Sequence, residues 1–479
     1  MKSVNRWRGT RFELGFPPPP APPPDNGKGG EPEVDCGFPI VSRIPSARHG
    51  LRGTQCHCRR RFQSAESGRM ITRLQIDGFK NLVDVDIHFG KFNVITGANG
   101  VGKSNLFDAI KFVSLLITKS IFEAAKEIRG SERNFNQLFT QLSKAKIINF
   151  QIAFGDNNTE FNYNLSISGS TKKAEISDEK LINSQTGEPI HDYKTGWTET
   201  PEHSILNTFR SLLILDTKND FKIHNWKIFN LSSKYLRQED SFNDSFFIGE
   251  HGDHIPATLY RLTEMLPISN EPAPELVLSK LSNRLFELTG EIKKIRVRRF
   301  EEIEKIWIEI KGSDGVWHNA RALSDGTLRF LALAVLWLDP EARGVFCIEE
   351  PENGIHPSKI PALMRLLRDI SEKPGCQVIV NTHSPALVAQ TPAEDIIVAY
   401  PVQRAEPDGR RYTFPRFAGL KGTWRQDAGM HVATISQVMD YLDPVPQRYE
   451  GEPLRLLDRE DARRLMERRR ARTWEVTED

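Results

Sequence analysis

The chain has 479 residues, 38% of them hydrophobic, enough for two or three folding units with cores of their own. Its 65 Lys and Arg against 63 Asp and Glu leave a net charge of +2, so any binding to nucleic acid must come from a local patch. No apolar stretch is long enough to span a membrane, and five cysteines without an even framework suit a reducing, cytoplasmic compartment.

Residues 1–69 differ from the rest. Pro17 to Pro20 and Pro22 to Pro24 form a polyproline stretch, followed by a Gly-rich run and Arg59-Arg60-Arg61. With no apolar periodicity to bury, this leader is expected to be disordered, and without an apolar h-region it does not read as a secretory signal. Cys36, Cys56, His57 and Cys58 match the spacing of no usual zinc knuckle. Met70 stands immediately before the first convincing strand, and the native product is expected to begin there, the leader being an artefact or dispensable.

From Met70 the pattern becomes regular. Ile71 to Ile76 and Val83 to Phe89 alternate as a strand pair, and Phe92 to Thr96 runs as an apolar strand into Gly97-Ala98-Asn99-Gly100-Val101-Gly102-Lys103-Ser104. Leu106, Phe107, Ala109, Ile110 and Val113 then recur at helical spacing. A strand, a Gly-rich loop and a helix in this order make a phosphate-binding P-loop. The glycines let successive N–H groups turn toward phosphate oxygens, Lys103 reaches the β and γ phosphates, and the Ser104 hydroxyl can ligate Mg²⁺. A nucleotide and Mg²⁺ are the cofactors expected.

Further along, Ile147 to Phe154 and Phe161 to Ile167 read as a second strand pair, and residues 200–290 read mostly as helix and loop, broken by Pro267, Pro272 and Pro274. Ile295 to Phe300 and Ile303 to Ile310 read as a hairpin crowded by Lys293, Lys294, Arg296, Arg298 and Arg299. Such a run either tracks a phosphate backbone or is solvated charge balanced by Glu301, Glu302 and Glu304. Next come a helix from Asp325 to Leu338, a strand from Val345 to Ile348, a helix from Ser358 to Ser371 and a strand from Val378 to Val380. This alternation predicts a mainly parallel sheet covered on both faces. Roughly the last 60 residues are polar, with Arg463, Arg464, Arg468 to Arg470 and Arg472, and read as a helical or frayed tail.

A P-loop needs a second acid near Mg²⁺ and a base for the attacking water. Glu349 and Glu350, at the end of the strand before Pro351, offer both. His383 in Asn381-Thr382-His383-Ser384 ends the next strand at the same sheet edge, where an imidazole can contact a γ-phosphate. Ser324, in Ser324-Asp325-Gly326, can cap the adjoining helix while the helix N-terminus faces an anion.

Two N-terminal and two C-terminal blocks carry a resemblance. Leu74-Gln75-Ile76-Asp77-Gly78-Phe79-Lys80-Asn81-Leu82 followed by Asn99-Gly100-Val101-Gly102-Lys103-Ser104-Asn105, and Glu349-Glu350-Pro351-Glu352-Asn353-Gly354-Ile355-His356-Pro357 followed by Thr382-His383-Ser384, resemble the ATP-binding-cassette type ATPase head of the RecF/SMC-related AAA family ATPases. That group includes the overcoming-lysogenization-defect ATPases. The resemblance implies a P-loop NTPase of the ABC-ATPase type: a mainly parallel sheet flanked by helices, with an antiparallel N-terminal β subdomain and a helical insertion. The head would span 70–401, with an N-lobe 70–199, the insertion 200–290 and a C-lobe 291–401, and 402–479 would be a partly helical, Arg-rich extension.

It also implies roles. Residues 97–105 would hold nucleotide with Lys103 and Ser104 as Walker A, Glu349 as the Walker B acid on Mg²⁺, Glu350 as catalytic base and His383 as switch histidine. Ser324, Asp325 and Gly326 would form the signature loop that completes the site of a second subunit, and Asn353-Gly354 part of the D-loop. ATP would then close a homodimer of heads, and hydrolysis would open it. The sequence departs from the pattern with Glu349 in place of Asp, with Ser-Asp-Gly in place of Ser-Gly-Gly, and with a Q-loop glutamine open between Gln137 and Gln141. There is no long heptad array and no Toprim-like acidic cluster, so any nuclease must come from a partner. The reading is an ATP-gated dimer in DNA repair, maintenance or antiphage defence. The alternative is an ATP-dependent switch on a partner effector without DNA contact. A transporter ATPase is disfavoured by Asn105 after Ser104, the Walker B glutamates and the RecF-like opening strand.

Overall fold

The computed structural model describes residues 70–131, 134–140, 146–155, 160–169, 174–187, 189–192, 203–204, 206, 226–265, 274–405, 411–433 and 447–448. The leader with Cys36, Cys56, His57 and Cys58, Pro267, Pro272, Gln141 and the arginines of the tail lie outside the described residues.

Strands β1 (Met70–Asp77) and β2 (Val85–His88) pair antiparallel and lead into β3 (Phe92–Thr96), the P-loop and helix α1 (Lys103–Leu115). After α2 (Ile121–Lys126) come β4 (Ile147–Gly155), β5 (Glu160–Gly169), β6 (Ala174–Asn183) and β7 (Pro189–Asp192). These build an antiparallel wing ordered β2-β1-β4-β5-β6-β7. The expected pairs are present. Strands β6 and β7 had no expectation in the sequence, because Glu175, Asp178, Glu179 and Lys180 obscure the alternation and the β5–β6 register shifts between Ser166 and Ile167. Glu179 is in fact fully buried, where it accepts hydrogen bonds from the hydroxyls of Tyr163 and Ser204.

The second half contains β8 (Lys227–Phe229), α3 (Ser233–Leu236), β9 (Asp240–Ser241), α4 (Ile255–Tyr260) and α5 (Pro274–Thr289). The basic hairpin is β10 (Lys294–Phe300) and β11 (Lys305–Lys311), joined by β12 (Trp317–Asn319). Its second strand begins two residues later than the sequence suggests. Ile303 lies 56% exposed in a 3₁₀ turn, and the left-handed Glu304 (φ 52°) restarts the strand. The chain continues through α6 (Asp325–Leu338), β13 (Gly344–Glu349), α7 (Ile360–Glu372), β14 (Cys376–Thr382), α8 (Pro385–Ala389), β15 (Ile396–Ala405), β16 (Arg411–Leu420), β17 (Val432–Ala433) and β18 (Gln447–Arg448). Helix α7 starts at Ile360 rather than Ser358, because His356 caps a 3₁₀ turn over Pro357–Lys359.

The central sheet runs β17-β16-β15-β3-β14-β13-β8 and is parallel from β15 through β8. Successive side chains on its strands serve two cores. Ile95, Val345, Cys347 and Ile379 pack with α1 and the wing; Val94, Phe346, Ile348, Val378 and Val380 pack with α6 and α7. Strands buried on both faces read as continuous apolar runs, which is why β3, β13 and β14 stand out in the sequence. β8 adds an edge strand from within 200–290, and β15 runs across position 401. Its pairing with β16 brings 402–405 and 411–420 into the sheet, through Val402, Phe414 and Phe417. No helix of the described residues is long and apolar enough to cross a membrane.

Candidate nucleotide site

Parallel register gathers the site. Thr96 of β3 lies opposite Thr382 of β14, and Asn381 of β14 lies opposite Glu349 of β13. Three neighbouring strands therefore end together. The P-loop, His383 and Glu350, each directly C-terminal to one of them, emerge at a single sheet edge.

The loop is shaped by close packing. Gly97 sits at φ 149°, and a Cβ there would come within 2.0 Å of the Ala399 carbonyl oxygen of β15, so only glycine lets the loop lie on that strand. Helix α1 starts at Lys103 without a side-chain cap, leaving its first N–H groups to face an anion. Lys103 is buried, and its ammonium donates to the carbonyls of Gly97 at 2.5 Å and Ala98 at 2.8 Å. Burial pulls its pKa down to about 8, against the opposing pull of Glu350 and Glu352. Asn81 buttresses the loop, donating to the Val101 carbonyl at 3.3 Å and accepting from Asn105 at 2.8 Å.

Glu350 is in the left-handed region at φ 43°, a strained conformation for this residue. Its N–H donates to the Asn381 carbonyl at 2.8 Å, Asn353 donates to its Oε2 at 2.7 Å, and His383 Nδ1 lies 2.9 Å from its Oε1. A carboxylate so held, half-exposed and paired with an imidazole, can accept a proton from water. Glu349 meets the Arg129 guanidinium through two hydrogen bonds of 3.0 and 2.9 Å. Three buried atoms at these strand ends, Thr96 Oγ1, Asn381 Oδ1 and Glu352 Oε2, have no hydrogen-bond partner among the described residues. Burial raises the Glu352 pKa, while the Thr382 hydroxyl donates to its other oxygen. Hard oxygens from Ser104 and Glu349 fit Mg²⁺, and the waters of a hydrated ion could donate to the buried Asn381 and Glu352 oxygens.

The other candidate loop stands apart. No hydrogen bond or ion pair among the described residues joins Ser324, Asp325 or Gly326 to residues 97–105. Ser324 caps α6, accepting from Thr327 N–H at 3.3 Å. Asp325 is exposed, and hydrogen bonds from Ser233 and then Arg237 hold its carboxyl below the usual range. Gly326 touches Gly354: a Cβ at 326 would fall 2.1 Å from the Gly354 carbonyl oxygen. Gln137 is exposed on the short helix Phe135–Leu138.

Arg129 and Arg237 are residues that sequence reasoning missed. Arg129 pairs with Asp108, 21 positions away, and with Glu349, 220 away, and Arg237 pairs with Asp325, 88 away. Neither carries a motif; only the Gly after Arg129 hints at a turn. Asn81 belongs to the opening strand–turn block, yet nothing in the sequence assigns it to the P-loop.

A protein-family model described as "AAA domain, putative AbiEii toxin, Type IV TA system" matches residues 92–389. The chain is 22% identical over 332 residues to the OLD nuclease of Thermus scotoductus, covering 66% of this chain and 59% of that protein's length. It is 24% identical over 336 residues to an ATP/GTP phosphatase of Helicobacter pylori, covering 67% and 86%. Among solved structures, an Smc head bound to the C-winged helix domain of ScpA is similar at TM-score 0.47 and 18% identity, over 73% of this chain and 98% of that one.

Proposed function

This chain belongs to the AAA-domain family whose model spans residues 92–389, and from that premise we propose that it is an ATPase whose heads dimerise around Mg²⁺-ATP. The observation that carries the reading is the meeting of Lys103, Glu349 and the Glu350–His383 pair at the ends of three adjacent parallel strands. Residues 97–105 wrap the phosphates, and Lys103 exchanges its two loop carbonyls for the β and γ phosphate oxygens. Ser104 and Glu349 would hold Mg²⁺, which would supply charge neutralisation for the transferred phosphoryl group. Glu350 takes a proton from the water that attacks the γ-phosphorus, and His383 orients the carboxylate through Nδ1. ADP and phosphate leave.

Ser324, Asp325 and Gly326 are the half-site offered to a partner head. Their distance in contacts from the chain's own P-loop supports an action in trans. The cellular setting we propose is cytoplasmic DNA repair, maintenance or antiphage defence, supported by a relative named a nuclease and a family description naming a toxin–antitoxin system. A second reading is an ATP-driven switch on a partner effector without direct DNA contact. On the hairpin, Arg296 is paired with Glu309 and the exposed Arg299 with Glu301, leaving Lys293, Lys294 and Arg298 as exposed cations that make no ion pair among the described residues. DNA-stimulated turnover with steep salt dependence favours the first reading; turnover indifferent to DNA but altered by a co-purifying protein favours the second.

Glu350→Gln tests the core of the proposal. With ATP and Mg²⁺ it should retain nucleotide and accumulate a dimer by light scattering, with turnover down about 100-fold or more. A variant that stays monomeric, or keeps turning over, overturns it.

A further inference from the structure

Arg129 occupies a position that the proposed reaction leaves unexplained. Its guanidinium makes two hydrogen bonds to Glu349 at 3.0 and 2.9 Å, one to Asp108 at 2.9 Å and one to the Ser104 carbonyl at 3.0 Å. These contacts tie together the two residues, Ser104 and Glu349, assigned to the metal. The arginine is itself held in place. Asp108 is buried on α1, and its second oxygen accepts from Lys80 at 2.6 Å. The same Lys80 ammonium donates to the Arg129 carbonyl at 2.7 Å. Lys80 sits at φ 50° in the turn after β1, a backbone conformation uncommon for lysine, and so reaches both groups from one side. A surface arginine paired by chance would have neither a buried carboxylate behind it nor a lysine on its main chain.

From this geometry we propose that Arg129 is a positioning residue that stands in for the metal on Glu349, so that Mg²⁺ must displace it from that carboxylate. The inference rests on the reading of Glu349 as the metal-binding acid. Electrostatics motivates the design. The Glu349 side chain is only 9% exposed and shares Arg129 with the buried Asp108, and a glutamate there without a counter-charge would be costly. A planar guanidinium satisfies both its oxygens at once, which an ammonium does not. When the metal arrives, Asp108 and Lys80 retain the arginine while it releases Glu349, so the exchange needs a side-chain rotation and no loop rearrangement. Arg129 thereby sets the Mg²⁺ concentration at which the site loads.

The experiment is a Mg²⁺ titration of the full chain saturated with a fluorescent ATP analogue in EDTA, comparing wild type, Arg129→Ala, Arg129→Lys and Glu349→Ala. Arg129→Ala should leave nucleotide affinity in EDTA within about twofold and lower the half-saturating free Mg²⁺ about tenfold, the loss of one bidentate charged pair. Arg129→Lys, which keeps a cation beside Asp108 but cannot bridge both oxygens, should fall between and guards against loss of folding. The proposal is overturned if Arg129→Ala weakens nucleotide binding in EDTA by tenfold or more, making the arginine a phosphate ligand, or if neither Arg129 variant shifts the Mg²⁺ midpoint downward. Glu349→Ala separates the two readings: if it leaves the midpoint unchanged, Glu349 is not the metal acid and the parent reading falls too; if it raises the midpoint while the Arg129 variants do nothing, only this inference falls.

Discussion

The antiparallel wing and the nucleotide edge both bury charge and polarity, but they settle it differently. On the wing, Asp86 receives Arg73 through bonds of 2.9 and 2.7 Å and Gln75 at 2.8 Å. Buried Gln377 joins wing to central sheet by bonding both the N–H and the carbonyl of Ile71 and the carbonyl of Gly90. At the edge, by contrast, Lys103 is desolvated on its own loop, Glu350 is strained, and three buried polar atoms have no hydrogen-bond partner among the described residues. Satisfied polar groups stabilise a fold; unsatisfied ones at a strand edge cost stability and await a ligand. The difference locates folding energy on one side and binding energy on the other.

Substitutions can break that division. Lys103→Ala should reduce ATP affinity by about 100-fold or more, as a charge-assisted contact with phosphate is lost, while the thermal midpoint holds or rises because a buried cation is gone. Unchanged affinity in a binding titration refutes the P-loop assignment. Ser324→Arg should leave ATP affinity within about twofold yet cut turnover about 100-fold, since its loop serves the partner head. If steady-state turnover survives, the loop does not act in trans.

The smallest expected effect sharpens the wing's side. Burial, helped by Arg73, depresses His88 from 6.5 to about 4. Between those values the unfolded chain binds more protons than the native one, so stability is level above pH 6.5 and falls as pH drops toward 4. The loss should be about 1–2 kcal/mol once residual solvent access is allowed for. His88→Gln should flatten the slope in urea melts at pH 7, 6 and 5, without altering ATP affinity. An identical slope in the variant puts the acid sensitivity elsewhere.

Much of the edge was legible because its signals are local. β3, β13 and β14 are continuous apolar runs, and Lys103, Glu349, Glu350 and His383 each stand at or just beyond the end of one of them. Helix α6 was legible to the residue from its Ser324 cap. What was not legible is non-local. Arg129 reaches Glu349 across 220 positions, and Asn381 and Glu352 are notable only for what they fail to bond. β6 was hidden by Glu179, a charge whose burial depends on Tyr163 and Ser204.

The contact between Gly326 and Gly354 divides the Ser-Asp-Gly loop into unequal positions. At 326 a main chain passes where any Cβ would sit, so that place admits glycine alone. At 325 the side chain is exposed, and its carboxylate is paired with Arg237. The middle position of the triplet meets no such main chain, so a side chain fits there, and a search demanding two glycines would pass over this loop.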